Sequence, residues 1–110
     1  MEDLRFRKQT DDSGRVIALE VGGALILNNA QQLKKELVGI ITLLSHQLKI
    51  TVAEPEEIDL SCIQLLKAFF NQMDEAKIKY RVEWLLDEEQ RLLLEHVGLS
   101  DELFLNDKYV

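Results

Sequence analysis

A single cysteine, Cys62, rules out a disulfide within the chain, so no covalent staple holds it together and a reducing compartment, the cytoplasm, is expected. The one proline, Pro55, leaves a single point at which a ring would interrupt a helix or a sheet ladder. Basic residues are scarce: thirteen Lys and Arg stand against twenty Asp and Glu, a net charge of −7. That balance opposes binding to nucleic acid or to an anionic membrane surface and favours a folded protein as partner. Two histidines and one cysteine, scattered along the chain, are too few for a zinc site. No apolar run approaches the roughly 20 residues of a membrane span, and Met1-Glu2-Asp3-Leu4-Arg5 lacks the apolar core of a signal peptide. No motif supplies a nucleophile with its base and oxyanion donors, or a glycine loop that cradles phosphate. Neither an enzyme nor a bound cofactor is therefore expected.

What is present suffices for one domain spanning 1–110, because 46% hydrophobic residues can fill one core. Leu4, Phe6 and Lys8 alternate with Arg5, Arg7 and Gln9, a period of two that predicts a strand. Turn formers at Thr10-Asp11-Asp12-Ser13-Gly14 and a β-rich run from Arg15 to Val21 make a hairpin. Gly22-Gly23 interrupts that run as a bulge or a bend. A helix is predicted over roughly 28–46, opened by Asn28 with Gln31 as a box-like cap and carrying Ala30, Leu33, Leu37, Ile40, Ile41 and Leu44 on one face. Leu48, Ile50 and Val52 mark a third strand, and Pro55 places Ala53 to Glu57 in a loop or a poorly paired extension. A second helix follows, then a fourth strand alternating through Tyr80, Val82, Trp84 and Leu86. A short third helix is capped by Asp87-Glu88-Glu89-Gln90 and stopped by Gly98, with a loosely held tail from Ser100. The order ββαβαβα implies an α/β fold with a mixed sheet of four to five strands and three to four helices.

The richest stretch is Glu57-Ile58-Asp59-Leu60-Ser61-Cys62-Ile63-Gln64-Leu65-Leu66, where an extended segment passes into the second helix. Cys62, Leu65, Leu66, Phe69, Met73 and Ala76 recur at helical spacing and build an apolar stripe, which makes Cys62 a buried thiol. Ser61 then stands at the N-cap, and Ser61-Cys62-Ile63-Gln64 reads as a capping box. The free N–H groups and the positive end of the helix dipole would also welcome a phosphate on that hydroxyl. Asp59 is either a second, looser cap or a group that orients a kinase or a partner's basic side chain.

Asp59-Leu60-Ser61-Cys62-Ile63-Gln64-Leu65-Leu66 resembles the Asp-Ser-Ser-Gly-Leu-x-x-Leu signature of STAS domains, the fold of anti-sigma factor antagonists and of the cytoplasmic tails of sulfate transporters. Glu20-Val21-Gly22-Gly23-Ala24-Leu25 leading into Asn28-Asn29-Ala30, and Gly98-Leu99-Ser100-Asp101, follow in the family's order. The resemblance implies a small sheet with helices packed against it. It also implies a serine-kinase anti-sigma factor as partner and phosphorylation of Ser61 as the switch that ends binding. Leu60 stands where the family has its first serine and Cys62 where it has glycine, and the cysteine side chain is expected to block part of a kinase's approach to the backbone. That substitution looks more like the STAS subunits that dock on ATPases of lipid-transporting ABC systems, where the same surface serves without phosphorylation.

Both roles are expected to use Asp59, Ser61, Ile63, Gln64, Lys67 and Phe70, with Gly23 and Asn28 nearby. Ile63 and Phe70 fall about a quarter turn from the centre of the stripe, which predicts an apolar rim that a partner grips, or else a broad stripe tucked under a loop. A response-regulator receiver would place Asp11-Asp12, Asp59 and Lys108 in one acid pocket. That reading fails because Asp11-Asp12-Ser13-Gly14 forms a hairpin turn and Trp84-Leu85 occupies the place of a hydroxyl residue.

Overall fold

The computed structural model describes residues 3–96. The expected stop at Gly98, the apolar Val97, the Gly98-Leu99-Ser100-Asp101 segment and the tail to Val110 lie outside that range. Strands β1 (Leu4–Thr10), β2 (Val16–Leu25), β3 (Leu44–Ile58) and β4 (Lys79–Leu85) alternate with helices α1 (Leu27–Ile40), α2 (Leu60–Glu75) and α3 (Glu88–His96) in the predicted order. The sheet runs β1-β2-β3-β4, antiparallel at the first pair and parallel at the other two. The expected mixed α/β architecture is borne out.

Local chemistry explains the joints. Asp11 closes the β1–β2 hairpin: its Oδ1 accepts from Ser13 N, Ser13 Oγ and Arg15 N, an Asx turn that organises the reversal without a long loop. Those bonds, from the Ser13 hydroxyl first, hold the Asp11 carboxyl below its usual range. Asp87 and Gln90 form a reciprocal box at the start of α3, Gln90 N donating to Asp87 Oδ1 at 2.8 Å and Asp87 N to Gln90 Oε1 at 3.2 Å.

Two boundaries differ from the pattern reading. α1 ends at Ile40, a short 3-10 turn occupies Ile41–Leu43, and β3 begins at Leu44. The apolar spacing of 28–46 fits a longer helix, but Gly39 and the β-branched run Ile40-Ile41-Thr42 have low helix propensity, and Leu44 pairs with Val16 of β2. β3 also runs on through Pro55, as the poorly paired extension. The β2 register jumps there from Gly22↔Ala53 to Ala24↔Glu57, so Glu54, Pro55 and Glu56 bulge opposite Gly23. A residue without an N–H costs no ladder bond at such a point, and the Pro55 carbonyl accepts from Gln90 Nε2 at 2.9 Å.

Burial in β4 alternates strictly, with Tyr80, Val82 and Trp84 inward. They join Leu19 and Val21 of β2, Leu48, Ile50 and Val52 of β3, and the buried stripes of α1 and α2 in one core. Gly23 is fixed by its neighbours. Its φ is +73°, and a Cβ there would collide with the carbonyl oxygen of Asp3, the same carbonyl that accepts from Ala24 N at 2.9 Å. Gly23→Ala should therefore lower stability by roughly 1–3 kcal/mol. Urea denaturation checks this, since an unchanged midpoint would mean the bulge tolerates a side chain.

Candidate functional site

The end of β2 and the end of β3 lie side by side, Leu25 opposite Ile58, and each leads directly into a helix. α1 and α2 therefore start next to each other, and the free N–H groups of both first turns need acceptors. One side chain serves both. Asp59 is the N-cap of α2: its Oδ1 accepts from Ser61 N at 3.1 Å and Cys62 N at 3.4 Å, while its Oδ2 accepts from Leu27 N of α1 at 2.9 Å. The N-cap of α1, Ile26, has no side-chain bond to offer. The backbone adds to the clamp, Asp59 N donating to Leu25 O at 2.9 Å.

The expected capping box at Ser61 is thus corrected. Ser61 lies inside α2, one position past its first residue, and donates its hydroxyl to Asp59 Oδ1 at 2.5 Å. An aspartate has two oxygens and a formal charge to set against two helix dipoles, whereas a serine oxygen can serve one helix only. Burial alone would raise the Asp59 pKa. The bonds from the Ser61 hydroxyl and from the backbone N–H groups of Leu27, Cys62 and Ser61 outweigh it, and the carboxyl sits below its ordinary value of 3.8. The expected opening of α1 at Asn28 is corrected likewise: the helix begins at Leu27, capped by Asp59 from across the junction.

Ser61 remains half-buried and reachable. It lines a groove of about 370 Å³ between the two helices, with Leu27, Ala30, Gln31 and Lys34 from α1 and Gln64 and Leu65 from α2. Leu27, which lines it, is 68% exposed, and Leu60, the residue before Ser61 in the chain, is 42% exposed. A half-buried serine in a groove that an exposed leucine and a lysine also line is suited to gripping a macromolecule.

No protein-family model matches the sequence, and no curated protein matches it significantly. The structure is similar to the crystal structure of an anti-sigma factor antagonist from Mycobacterium paratuberculosis. The TM-score is 0.73 at 15% sequence identity, covering 89% of this chain and 80% of that one. The chain has the fold of an anti-sigma factor antagonist. Within that fold the resemblance of the Asp59–Leu66 segment falls at the mouth of the groove, where the two helices begin.

The fold sorts the expected contact residues into two groups. Asp59, Ser61 and Gln64 belong to the groove and its clamp, and Asn28 and Lys67 are exposed on α1 and α2. Ile63 and Phe70 do not form a rim. Ile63 is 1% exposed and Phe70 3%, because β4 brings Tyr80 and Trp84 under that side of α2. The Phe70 ring stacks on Tyr80 at 5.6 Å between centroids and meets Trp84 edge-on at 6.3 Å. Gly23 is buried and shapes the bulge rather than offering a contact.

Cys62 is buried as expected, its Sγ 3.5 Å from Ile26 O. It points into the core, so it does not obstruct an approach to Ser61 from outside. Burial first, and then the Asp59 carboxylate, push its thiol up to about 11, which leaves it protonated and unreactive at neutral pH. Among the described residues no group of three or more His, Cys, Asp or Glu side chains could hold a metal ion, and no helix is long and apolar enough to cross a membrane. The pattern reading missed Leu27, Gln31, Lys34 and Leu65. Nothing in the local pattern marks Leu27, which follows directly on Ala24-Leu25-Ile26 and reads as a continuation of that apolar run.

Proposed function

We propose that the chain is a protein-interaction module that acts as an anti-sigma factor antagonist, gripping a serine-kinase anti-sigma factor with the groove between α1 and α2. Phosphorylation of Ser61 by that kinase ends the contact. The observation that carries this reading is the placement of half-buried Ser61 in a groove that the exposed Leu27 also lines. Asp59 holds the hydroxyl proton, leaving the lone pairs of Oγ free to meet a phosphorus atom. A phosphate on Ser61 would add up to two negative charges beside the Asp59 carboxylate, turning a nearly neutral groove mouth into an anionic one that repels an acidic partner surface.

A purified candidate kinase with ATP should add one phosphate to the chain, read from intact mass, and none to Ser61→Ala. Ser61→Asp should bind the unphosphorylated partner roughly tenfold or more weakly than wild type. Tighter binding by Ser61→Asp would overturn the sign of the switch. A second reading is favoured by Leu60, whose exposed apolar side chain replaces the family's first serine. In it the same groove docks on the ATPase of an ABC transporter and Ser61 stays unmodified, so association that survives without kinase activity selects it.

A further inference from the structure

The Ser61 hydroxyl and the start of α1 share one acceptor. Asp59 Oδ1 takes the hydroxyl proton at 2.5 Å together with Ser61 N and Cys62 N, while Oδ2, on the same carboxyl carbon, takes Leu27 N of α1 at 2.9 Å. The two oxygens are fixed to each other, so a displacement of the side chain at Ser61 is felt at Leu27 N as well. The first turn of α1 depends on that bond. Its N-cap, Ile26, makes no side-chain bond, Leu27 and Asn28 are exposed, and the first buried residue of the helix is Leu33. Asn29 Nδ2 donates to Ala24 O at 2.9 Å, which ties the chain down just past that point and confines any release to the helix start.

Resting on the reading that Ser61 is the phosphorylated residue, we propose that the phosphate acts through Asp59 on α1: it displaces the shared carboxylate, uncaps Leu27 and loosens the α1 wall of the groove. Transfer of the terminal phosphoryl group of ATP makes a bond from Ser61 Oγ to phosphorus, breaks the bond to ADP and sends the hydroxyl proton to solvent. Asp59 Oδ1 then loses a donor and faces up to two negative charges on the residue that supplied it. The phosphate is held covalently in the first turn of α2, where free N–H groups suit it as well as they suit a carboxylate, so α2 keeps an acceptor. α1 does not. The loss falls on Leu27, an exposed residue that lines the groove, and release of a bound partner becomes a change of shape in the groove as well as a change of charge.

Phosphoserine built into position 61 during synthesis tests this coupling with no kinase or partner present. Amide hydrogen exchange in the ¹⁵N-labelled chain should run at least about tenfold faster at Leu27 and Asn28 with phosphoserine than with serine, while Leu37 stays protected. Ser61→Ala removes the hydroxyl bond without adding charge and should change those two rates by less than about threefold. Treatment with a phosphatase should restore the wild-type rates. In Asp59→Asn, where the shared carboxylate is gone, phosphoserine should accelerate exchange at Leu27 no further. Unchanged exchange at Leu27 in the phosphoserine chain, or an equal acceleration by phosphoserine in wild type and in Asp59→Asn, would overturn the proposal. A kinase that leaves Ser61 unmodified counts against the function proposed above and not against the link between Ser61 and α1, which these rates decide.

Discussion

Phe70→Ala should lower the stability of the chain by about 3–5 kcal/mol and leave binding at the Ser61 groove unchanged at temperatures where the variant is folded. The ring is almost wholly buried, packed flat on Tyr80 and edge-on to Trp84. Its removal loses the transfer energy of a full aromatic side chain and three ring contacts, with Phe69, Tyr80 and Trp84, each worth about 0.5–1.5 kcal/mol beyond burial. It also opens a cavity between α2 and β4 that rigid strands cannot close. Set against a total stability of about 5–15 kcal/mol, that loss corresponds to a Tm lower by roughly 15–30 °C. Phe70→Leu should fall between the two, since it keeps apolar volume but loses the stacking. Differential scanning calorimetry checks the order. A near-wild-type Tm for Phe70→Ala would mean that the ring does not support the core.

The same residue shows what the sequence pattern could and could not reveal. Period-two alternation in β4 and the helical recurrence in α2 located both elements, because each is half-buried and burial leaves its period in the sequence. The direction in which α2 faces was harder to read. Counting Leu65 and Ala76 into the stripe turned its centre away from Ile63 and Phe70, yet Leu65 lines the groove and Ala76 ends the helix exposed. A helical wheel records which residues are apolar, whereas the buried arc is set by where β4 lies beneath the helix. That position follows from pairing between residues about thirty apart, such as Ile50 with Val82.

The junction was legible in a similar, partial way. A polar residue before an apolar stripe locates a helix start, and both Asp59 and Ser61 qualify. Choosing between them requires knowing that α1 begins alongside, so that one acceptor must serve two helices. Ser61 became the expected cap because Gln64 completed a box with it, but Asp59 has the charge and the second oxygen. The groove itself has no local signature. It is made by Leu27, Ala30, Gln31 and Lys34 from one helix and Ser61, Gln64 and Leu65 from another, brought together only by the β2–β3 register.

Asp59→Ala should cost about 2–4 kcal/mol, more than an ordinary cap replacement of about 0.5–2 kcal/mol, because both helix starts lose their acceptor together. Leu27 N, Ser61 N and Cys62 N would all be left without the carboxylate, and the Ser61 hydroxyl would lose the oxygen that now orients it. Asp59→Asn should recover only part of the loss, since one amide oxygen cannot cap two helices and the NH₂ group faces N–H donors. The pH dependence separates this clamp from a simple packing defect. The folded-state pKa of Asp59 is depressed below 3.8, so its contribution is fully present above the unfolded value. It is lost as the pH falls from about 4 through the lower folded value. Wild type should therefore show a steeper loss of stability in that acid range than Asp59→Asn, whose side chain does not titrate. Amide hydrogen exchange should place the damage, with protection falling at Leu27 and Asn28 of α1 as well as at Ser61 and Cys62 of α2. Faster exchange confined to α2 would show that α1 is held by other contacts and that the carboxylate caps one helix alone.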